Sequence, residues 1–148
     1  MKLFLDTSAL AKLFQEEPGI DYVDEAINSP DNEIWVLELV EIEFLSCIYR
    51  RYREGEISDE DINIVSLVFE EQIRQFNVEM LGSSIIEEAR QLMQDYGKEA
   101  GLRTLDSLHL AACRLLYEPG WFFVCSDKRL CDIALQAGIQ VKNPIGVS

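Results

Sequence analysis

The first ten residues of the chain, MKLFLDTSAL (1–10), decide the fold that the rest of the sequence predicts. Residues 2–5 are almost wholly apolar, which is typical of a short strand buried on both faces of a sheet. A helical run, TSALAKLF (7–14), follows at once, so Asp6 lies where a buried strand turns into a helix. Because a buried carboxylate is costly unless it is paired, Asp6 is either a helix cap or a ligand for something else.

The composition is that of an ordinary globular protein, with 148 residues of which 48% are hydrophobic and 27% charged. This length predicts one domain, spanning residues 1–148, with enough apolar side chains for a core of its own. No apolar run approaches the roughly 18 residues of a membrane span, and the N-terminus is too short and too acidic for a signal peptide. We therefore expect a cytoplasmic protein that makes no contact with a membrane.

The charge and the cysteines narrow the class of protein further. A net charge of −14 disfavours a protein that binds DNA or RNA by electrostatic attraction alone. The same charge suits basic protein partners, multivalent metal ions, or a local basic patch in an acidic surround. Cys47, Cys113, Cys125 and Cys131 form no C-x-x-C pair and lie in apolar runs, so they predict buried thiols rather than a zinc site or disulfides.

Strand-like and helix-like segments alternate along the chain. Strands are predicted at residues 2–5, 33–37, 77–81, 121–126 and 139–143. Helices are predicted at residues 7–14 (ending at EEPG, 16–19), 20–28, 39–55, 58–76, 84–97, 102–118 and 127–137. Capping boxes are predicted where two of these helices begin, at Ser58 with Asp61 and at Ser84 with Glu87. The alternation favours a parallel α/β sheet with helices on both faces, a fold that binds ligands at the carboxyl edge of the sheet.

Two of the predicted strands are followed by an aspartate at the carboxyl end. FLDTS and FVCSD each run from apolar residues into an aspartate, Asp6 or Asp127, and parallel strands bring both to one edge. Capping of the following helix is the alternative for each of them, although Thr7 or Ser8 also suits the first cap. Helix capping alone does not require an aspartate at the carboxyl end of both strands, so we predict a functional site at this edge.

Two further acids are embedded in apolar runs. Asp106 lies in LRTLDSLHLAAC, and Glu43 lies in VEIEFLSCIY beside a second candidate, Glu41. In a chain with 27 acidic residues, an exposed surface position is the alternative for each. The apolar neighbours favour a position near the same edge of the sheet.

These acid-containing stretches together resemble the PIN-domain nucleases, and most closely the small single-domain toxins of VapBC toxin–antitoxin pairs. LDTSAL is similar to the first acid motif of that family, EFLSCIYRR to the second, LRTLDSLHLAA to the third and FVCSDKRL to the fourth. The motifs occur in family order and at family-like separations over nearly the whole chain. The sequence departs from the family at Glu38 and Leu39, where a Ser or Thr cap is frequent, and at Cys125, where a small or hydroxyl residue is commoner.

The resemblance implies a single PIN-like α/β domain with a parallel sheet of about five strands in the order 3-2-1-4-5. It implies an endoribonuclease that hydrolyses RNA phosphodiester bonds with Mg²⁺ or Mn²⁺. By position, the residues that bind the metal and act in catalysis are Asp6, Glu43, Asp106 and Asp127. The supporting polar residues are Thr7, Ser8 and Ser126. An antitoxin protein and a homodimer are the implied assemblies, and the apolar segment INIVSLVF suits a dimer interface and a core equally.

Elementary chemistry supports a metal site apart from the resemblance. Four carboxylates that converge without a cation repel one another, and some of them have to stay protonated. An all-oxygen site suits Mg²⁺, and two such ions about 4 Å apart can activate water and stabilise a leaving oxygen. A nucleophile–histidine site would have to use His109, the one histidine of the chain, which we interpret as a helix residue packed within the fold.

Basic residues are few, but several lie near the acid motifs. Arg50 and Arg51 end the helix that carries one of the acids, and Lys128 and Arg129 directly follow another. A solvated face is the alternative for all four, and the arginines also suit a helix carboxyl terminus. We predict that they form a cationic rim that contacts RNA.

Other functions are open on the sequence alone. A non-catalytic PIN-like module would bind RNA or a protein without cleaving it, and its main support is the acidic charge. A phosphatase of the haloacid dehalogenase class has a second aspartate two residues after the first, where this chain has Ser8. A phospho-receiver domain needs a downstream lysine that the sequence does not place convincingly.

Overall fold

The N-terminal strand, β1 (Lys2–Leu5), lies at the centre of a parallel sheet. The computed structural model describes residues 1–15 and 18–146. In this part of the chain the other strands are β2 (Glu33–Leu37), β3 (Asn77–Glu79), β4 (Trp121–Val124) and β5 (Val141–Lys142). The order β3-β2-β1-β4-β5 and the parallel pairing of all neighbours confirm the predicted fold class.

Helices connect the strands and cover both faces of the sheet. Those of the described residues are α1 (Thr7–Ala11), α2 (Ile20–Asn28), α3 (Val40–Arg53), α4 (Asp59–Ile73), α5 (Ser83–Ala100), α6 (Thr104–Leu116) and α7 (Lys128–Gln136). A 3₁₀ turn at Lys12–Phe14 follows α1, so the helix predicted over 7–14 is two short pieces. Its predicted end at EEPG falls partly on residues 16 and 17, which lie outside the described residues. None of the described helices is long and apolar enough to cross a bilayer.

Alternating side chains of β1 build an apolar core on each face of the sheet. Phe4 belongs to the core under α5, α6 and α7, where its ring lies 6.3 Å from that of Phe123 between centroids. Leu3 and Leu5 belong to the opposite core, which α1 and α3 complete. These three of the four residues of β1 are at most 1% exposed, so the strand predicted to be covered on both faces is confirmed.

The apolar segment INIVSLVF of α4 divides between core and surface. Phe69 is buried and stacks on Phe44 of α3, with ring centroids 3.8 Å apart and planes within 3° of parallel. Ile64, Leu67 and Val68 lie on the other side of the helix, and each exposes more than half of its surface. The segment therefore stabilises the core through one face and presents an apolar second face to solvent.

The cysteines are free thiols, as the sequence predicts. Cys113, Cys125 and Cys131 are buried, and Cys47 is half-buried. The Sγ atoms of Cys125 and Cys131 lie 2.9 Å apart in the core beneath β4 and α7.

The helix starts confirm one predicted capping box and correct the other. Ser58 Oγ accepts the N–H of Asp61 at 3.2 Å, and the Asp61 carboxylate accepts the N–H of Ser58 at 2.9 Å. The box at Ser84 is wrong, because α5 begins one residue earlier, after Gly82, which has no side chain to cap it. Ser84 lies inside the first turn, where its hydroxyl cannot act as the cap.

These two serines give a matched test of the helix starts. Ser58→Ala should lower the free energy of unfolding by about 1 kcal/mol, because the Asp61 N–H loses its acceptor. Ser84→Ala should change it by less than about 0.5 kcal/mol, since an exposed serine within a turn gains helix propensity as alanine. Urea unfolding of both variants measures the difference, and equal losses would contradict the assignment of the caps.

Candidate active site

The carboxyl ends of β1 and β4 lie side by side and bring the following segments together. Leu5 is in register with Val124, and the N–H of Asp6 donates to the carbonyl of Val124 at 3.1 Å. One further bond joins the two segments, from the N–H of Ser126 to the hydroxyl of Ser8 at 3.2 Å. The predicted edge is therefore a single surface built by both strand ends.

Asp6 caps the first helix of the chain. Its Oδ1 accepts the N–H of Ala9 at 3.0 Å and the hydroxyl of Ser8 at 2.7 Å. The expectation that Thr7 or Ser8 takes the cap is thus wrong, because Asp6 has the extended backbone that a cap requires. Both bonds go to Oδ1, so the cap uses one carboxylate oxygen and leaves Oδ2 for another partner.

Burial makes the Asp6 carboxylate unusual. Only 3% of the residue is exposed. Burial raises its pKa from the ordinary 3.8 to about 6, although the Ala9 N–H, His109 and the Ser8 hydroxyl all act to lower it. The nearby carboxylate of Asp106 adds to the rise. An added cation would therefore stabilise the ionised form of this group.

Asp127 repeats the arrangement at the end of β4. It caps α7 by accepting the N–H of Leu130 on Oδ1 at 3.2 Å. Its Oδ2 accepts a hydrogen bond from Nη2 of Arg103 at 3.0 Å. Both strand-end aspartates thus use Oδ1 to begin a helix, so the capping and the ligand interpretations of these residues are compatible.

Glu43 projects from the first turn of α3 and is held by two donors. Its Oε1 accepts the hydroxyl of Thr7 at 2.9 Å and a short hydrogen bond from Nε2 of His109. Partial burial acts to raise its pKa, but the hydrogen bond and the charge of His109, together with Thr7, bring the pKa below its ordinary value. Because of these contacts, Glu43 is the acid of α3 that faces the residues at the strand ends, whereas its neighbour Glu41 is exposed.

His109 belongs to the site although the sequence does not single it out as functional. It is 99% buried in α6, as expected of a packed helix residue, yet its Nε2 also contacts Thr7 Oγ1 at 3.3 Å. Its Nδ1 is buried without a hydrogen-bond partner among the described residues. The position three residues after Asp106 was the available signal, because residues i and i+3 share a helix face.

Asp106 interacts electrostatically with each of the other three acids. It lies in the first turn of α6 and is half-buried. Burial raises its pKa, and the carboxylates of Asp127 and Glu43 raise it further, while Arg103 and His109 oppose the rise. Since Asp6 also senses Asp106, each of the other three predicted acids interacts electrostatically with Asp106.

Arg103 joins two of these acids across the site. Its Nη2 lies 3.0 Å from Oδ2 of Asp127, and its Nε lies 3.6 Å from Oδ2 of Asp106. The turn that positions it begins at Gly101, which ends α5 in the left-handed conformation at φ 72°. Such a turn favours glycine, and it leaves three residues between α5 and α6. The sequence analysis did not place Arg103 in the site, because only the fold reveals that it reaches Asp127.

The three supporting polar residues lie at this edge with different contacts. Thr7 donates to Glu43, and Ser8 donates to Asp6 while it accepts from the Ser126 backbone. The hydroxyl of Ser126 is buried without a partner among the described residues. Thr7 and Ser8 thus orient two of the acids, whereas Ser126 contributes its N–H to the junction between the loops.

The predicted basic residues fall into two groups. Lys128 and Arg129 begin α7 directly after Asp127, and Lys128 pairs with Asp132 at 2.8 Å while 87% of its side chain stays exposed. Arg51 instead binds Glu56 at 3.2 Å and the carbonyl of Phe14 at 3.1 Å. Because α3 rises about 1.5 Å per residue, Arg50 and Arg51 lie roughly 11 Å along the helix from Glu43.

The donor set fits a hard divalent cation, but the side chains do not yet enclose one. Four carboxylates provide the oxygens that Mg²⁺ and Mn²⁺ prefer. Within residues 1–15 and 18–146, no three Asp, Glu, His or Cys side chains are arranged as the ligands of one ion. The contacts above are consistent with this finding, since Arg103 and His109 already lie against three of the acids.

The chain belongs to the PIN domain family, whose model matches residues 3–135. Several solved structures share the fold at low sequence identity. FitAcB from Neisseria gonorrhoeae is 13% identical with a TM-score of 0.72, covering 98% of this chain and 99% of that one. VapBC-1 from nontypeable Haemophilus influenzae is 14% identical with a TM-score of 0.66, covering 99% and 100%.

A toxin–antitoxin complex from Klebsiella pneumoniae is similar to the same degree, with 19% identity, a TM-score of 0.64, and 98% and 99% of the two chains covered. No curated protein matches the sequence significantly. The family is therefore established over most of the chain, and the neighbours establish the fold.

The buried carboxylate of Asp6 predicts a pH dependence of stability. A carboxyl pKa that rises from 3.8 to about 6 on folding leaves the folded state unaffected below about pH 4. As the pH rises from 4 to 6, this carboxyl group ionises in the unfolded chain but stays protonated in the folded state, so the free energy of unfolding falls by about 3 kcal/mol. Asp6→Asn keeps an oxygen for the cap and should abolish this part of the pH dependence.

The measurement is the difference in unfolding free energy between wild type and Asp6→Asn, from pH 3.5 to 7 without metal. The variant should become the more stable protein above pH 6. Asp31→Asn, at an exposed position, controls for loss of one charge. A difference that stays constant over the whole range would contradict burial as the source of the raised pKa.

Proposed function

We propose that this protein is a divalent-metal-dependent endoribonuclease and the toxin of a toxin–antitoxin pair. The observation that carries the proposal is the electrostatic contact of Asp6, Glu43 and Asp127 with Asp106 in a PIN domain. A cluster of acids that repel one another is costly to fold, and helix capping accounts only for Asp6 and Asp127, which favours a functional reason for the cluster. The proposal takes residues 1–148 as one nuclease domain.

The role of the metal follows from the donor set. Mg²⁺ or Mn²⁺ would be held by the four carboxylates and, when bound, would lower the pKa of water and stabilise charge on the phosphate. Ser8 and the Ala9 N–H orient Asp6, so that its second oxygen is available. Thr7 and His109 do the same for Glu43. The chain itself thereby supplies orientation and a site partly shielded from water.

The proposed RNA contact lies beside Asp127. Lys128 borders an open cleft of about 920 Å³ that Ser126, Tyr22, Lys142 and Asn143 also line. Two lysines, an aromatic ring and an amide are suited to phosphates and to a stacked or hydrogen-bonded base. This cleft would take the part of the RNA strand that extends from the scissile phosphate. RNA contact by Arg50 and Arg51 stays a prediction.

An antitoxin is the proposed protein partner. One structural neighbour is itself a toxin–antitoxin complex, which supports the proposal by analogy of fold. Exposed apolar side chains on α3 and α4 provide area for a partner, with Ile42 and Leu67 each about two-thirds exposed. A homodimer stays a prediction that the same surface supports.

The metal-dependent nuclease is tested by paired variants on one helix. Glu43→Gln should lower RNA cleavage by about 100-fold or more, because it removes a charged ligand of the proposed metal ion. Glu41→Gln changes the same chemistry two residues away at an exposed position and should leave cleavage unchanged. Cleavage of a defined single-stranded RNA in Mn²⁺ measures both.

Melting temperature gives a second reading that does not depend on finding the right RNA. Mn²⁺ at 100 times its Kd should raise the melting temperature of wild type by about 5–10 °C, and Asp106→Asn should lose most of this shift. Metal stabilisation without cleavage of any RNA tried would favour the non-catalytic PIN-like module. An unchanged melting temperature would refute the metal site itself.

Variants of the basic residues test which of them contact RNA. Lys128→Ala with Arg129→Ala should raise the KM for RNA by about 10-fold and weaken its dependence on salt, with little change in kcat. Arg51→Ala should lower stability, because the carbonyl of Phe14 and Glu56 lose a donor. A KM that rises equally in both proteins would extend the RNA surface to the end of α3.

A further inference from the structure

The guanidinium of Arg103 occupies the oxygens that a metal ion would need. Oδ1 of Asp127 is committed to the cap of α7, so Oδ2 is its available ligand atom. That Oδ2 is the atom to which Arg103 donates at 3.0 Å. The same side chain lies 3.6 Å from Oδ2 of Asp106, the acid at the centre of the cluster.

Helix formation does not explain an arginine at this position. Arg103 occupies the cap position directly before α6, and its side chain makes no capping hydrogen bond. Ser, Thr, Asp and Asn are the usual residues there, and a positive charge is unfavourable at the positive end of a helix. The two carboxylates are the groups that account for its conformation.

The contact is also one that can be exchanged. The Arg103 side chain is 67% exposed, and the two carboxylates are 29% and 32% exposed, so solvent screens all three groups. Exposed ion pairs of this kind contribute little net stability. A divalent cation carries twice the charge and can displace the arginine, but both cannot occupy the same oxygens.

We propose that Arg103 is an internal counter-cation, which holds Asp106 and Asp127 until a divalent ion displaces it and then binds the RNA phosphate. The inference rests on the proposed function, because it assumes that these acids bind metal. A displaced guanidinium stays beside the site, since its backbone is fixed between α5 and α6. Its planar donors match two phosphate oxygens, which a lysine does not reproduce.

The first experiment is calorimetric titration of the full chain with Mn²⁺ in the absence of RNA. Arg103→Ala should bind Mn²⁺ about 3- to 5-fold more tightly than wild type, because no side chain competes for the two carboxylates. Arg74→Ala is the matched control. It removes an equally exposed arginine from an i,i+3 ion pair with Glu71 on α4, so the change in net charge is the same.

The second experiment measures RNA cleavage at saturating Mn²⁺. Arg103→Ala should raise the KM for RNA by about 10-fold although it binds metal better, since the phosphate loses a charged donor. Arg103→Lys keeps the charge without the two-pronged geometry, so its KM should lie between those of Arg103→Ala and wild type. Opposite effects on metal and RNA binding are a signature that loss of structure would not give.

Each result decides a different claim. If wild type and Arg103→Ala bind Mn²⁺ equally, or the variant binds more weakly, the counter-cation role is overturned while the metal site stands. If Mn²⁺ binds tighter but the KM is unchanged, the phosphate role alone is overturned. If neither protein binds Mn²⁺, the metal site of the proposed function fails, and the inference fails with it.

Discussion

The parallel pairing of β1 with β4 is the constraint on which the rest of the site depends. It brings two strand ends to one edge, where the N–H of Asp6 bonds to Val124 and the N–H of Ser126 bonds to Ser8. Each strand then yields a helix that begins with an aspartate, and each aspartate uses Oδ1 as the cap. The caps fix the two aspartate carboxylates at this edge. Glu43 of α3 and Asp106 of α6 complete the group of four acids.

A cluster of four acids is tolerable only because the chain supplies positive or donor groups to it. His109 and Thr7 stabilise Glu43, Arg103 spans Asp106 and Asp127, and the residue left most dependent on burial is Asp6. The folded state is thus complete without a metal but holds charge that a divalent ion would neutralise better. The acidic net charge is consistent with this arrangement, since attraction for the proposed RNA substrate would arise locally at the site rather than from the whole surface.

The sequence predicted elements well where a local signal was sufficient and less well where packing decided. The reciprocal bonds of Ser58 and Asp61 follow from residue type and spacing alone, so that cap was predictable. The same pattern at Ser84 failed because the turn at Gly82 starts α5 earlier. Likewise, periodicity gave the apolar stripe of α4, but only its neighbours determine that Phe69 is buried and Leu67 exposed.

By itself, the sequence determined the alternation of strands and helices and the parallel sheet, because these follow from periodicity and capping chemistry. It also singled out the four acids, through the resemblance of their motifs. The tertiary structure alone decided which groups meet those acids. Asp6 proved to be both cap and site residue, since its two oxygens can serve different partners. Asp106 was a local signal for His109 and Arg103, but their contacts with Glu43 and Asp127, 66 and 24 residues away, leave no local trace in a sequence.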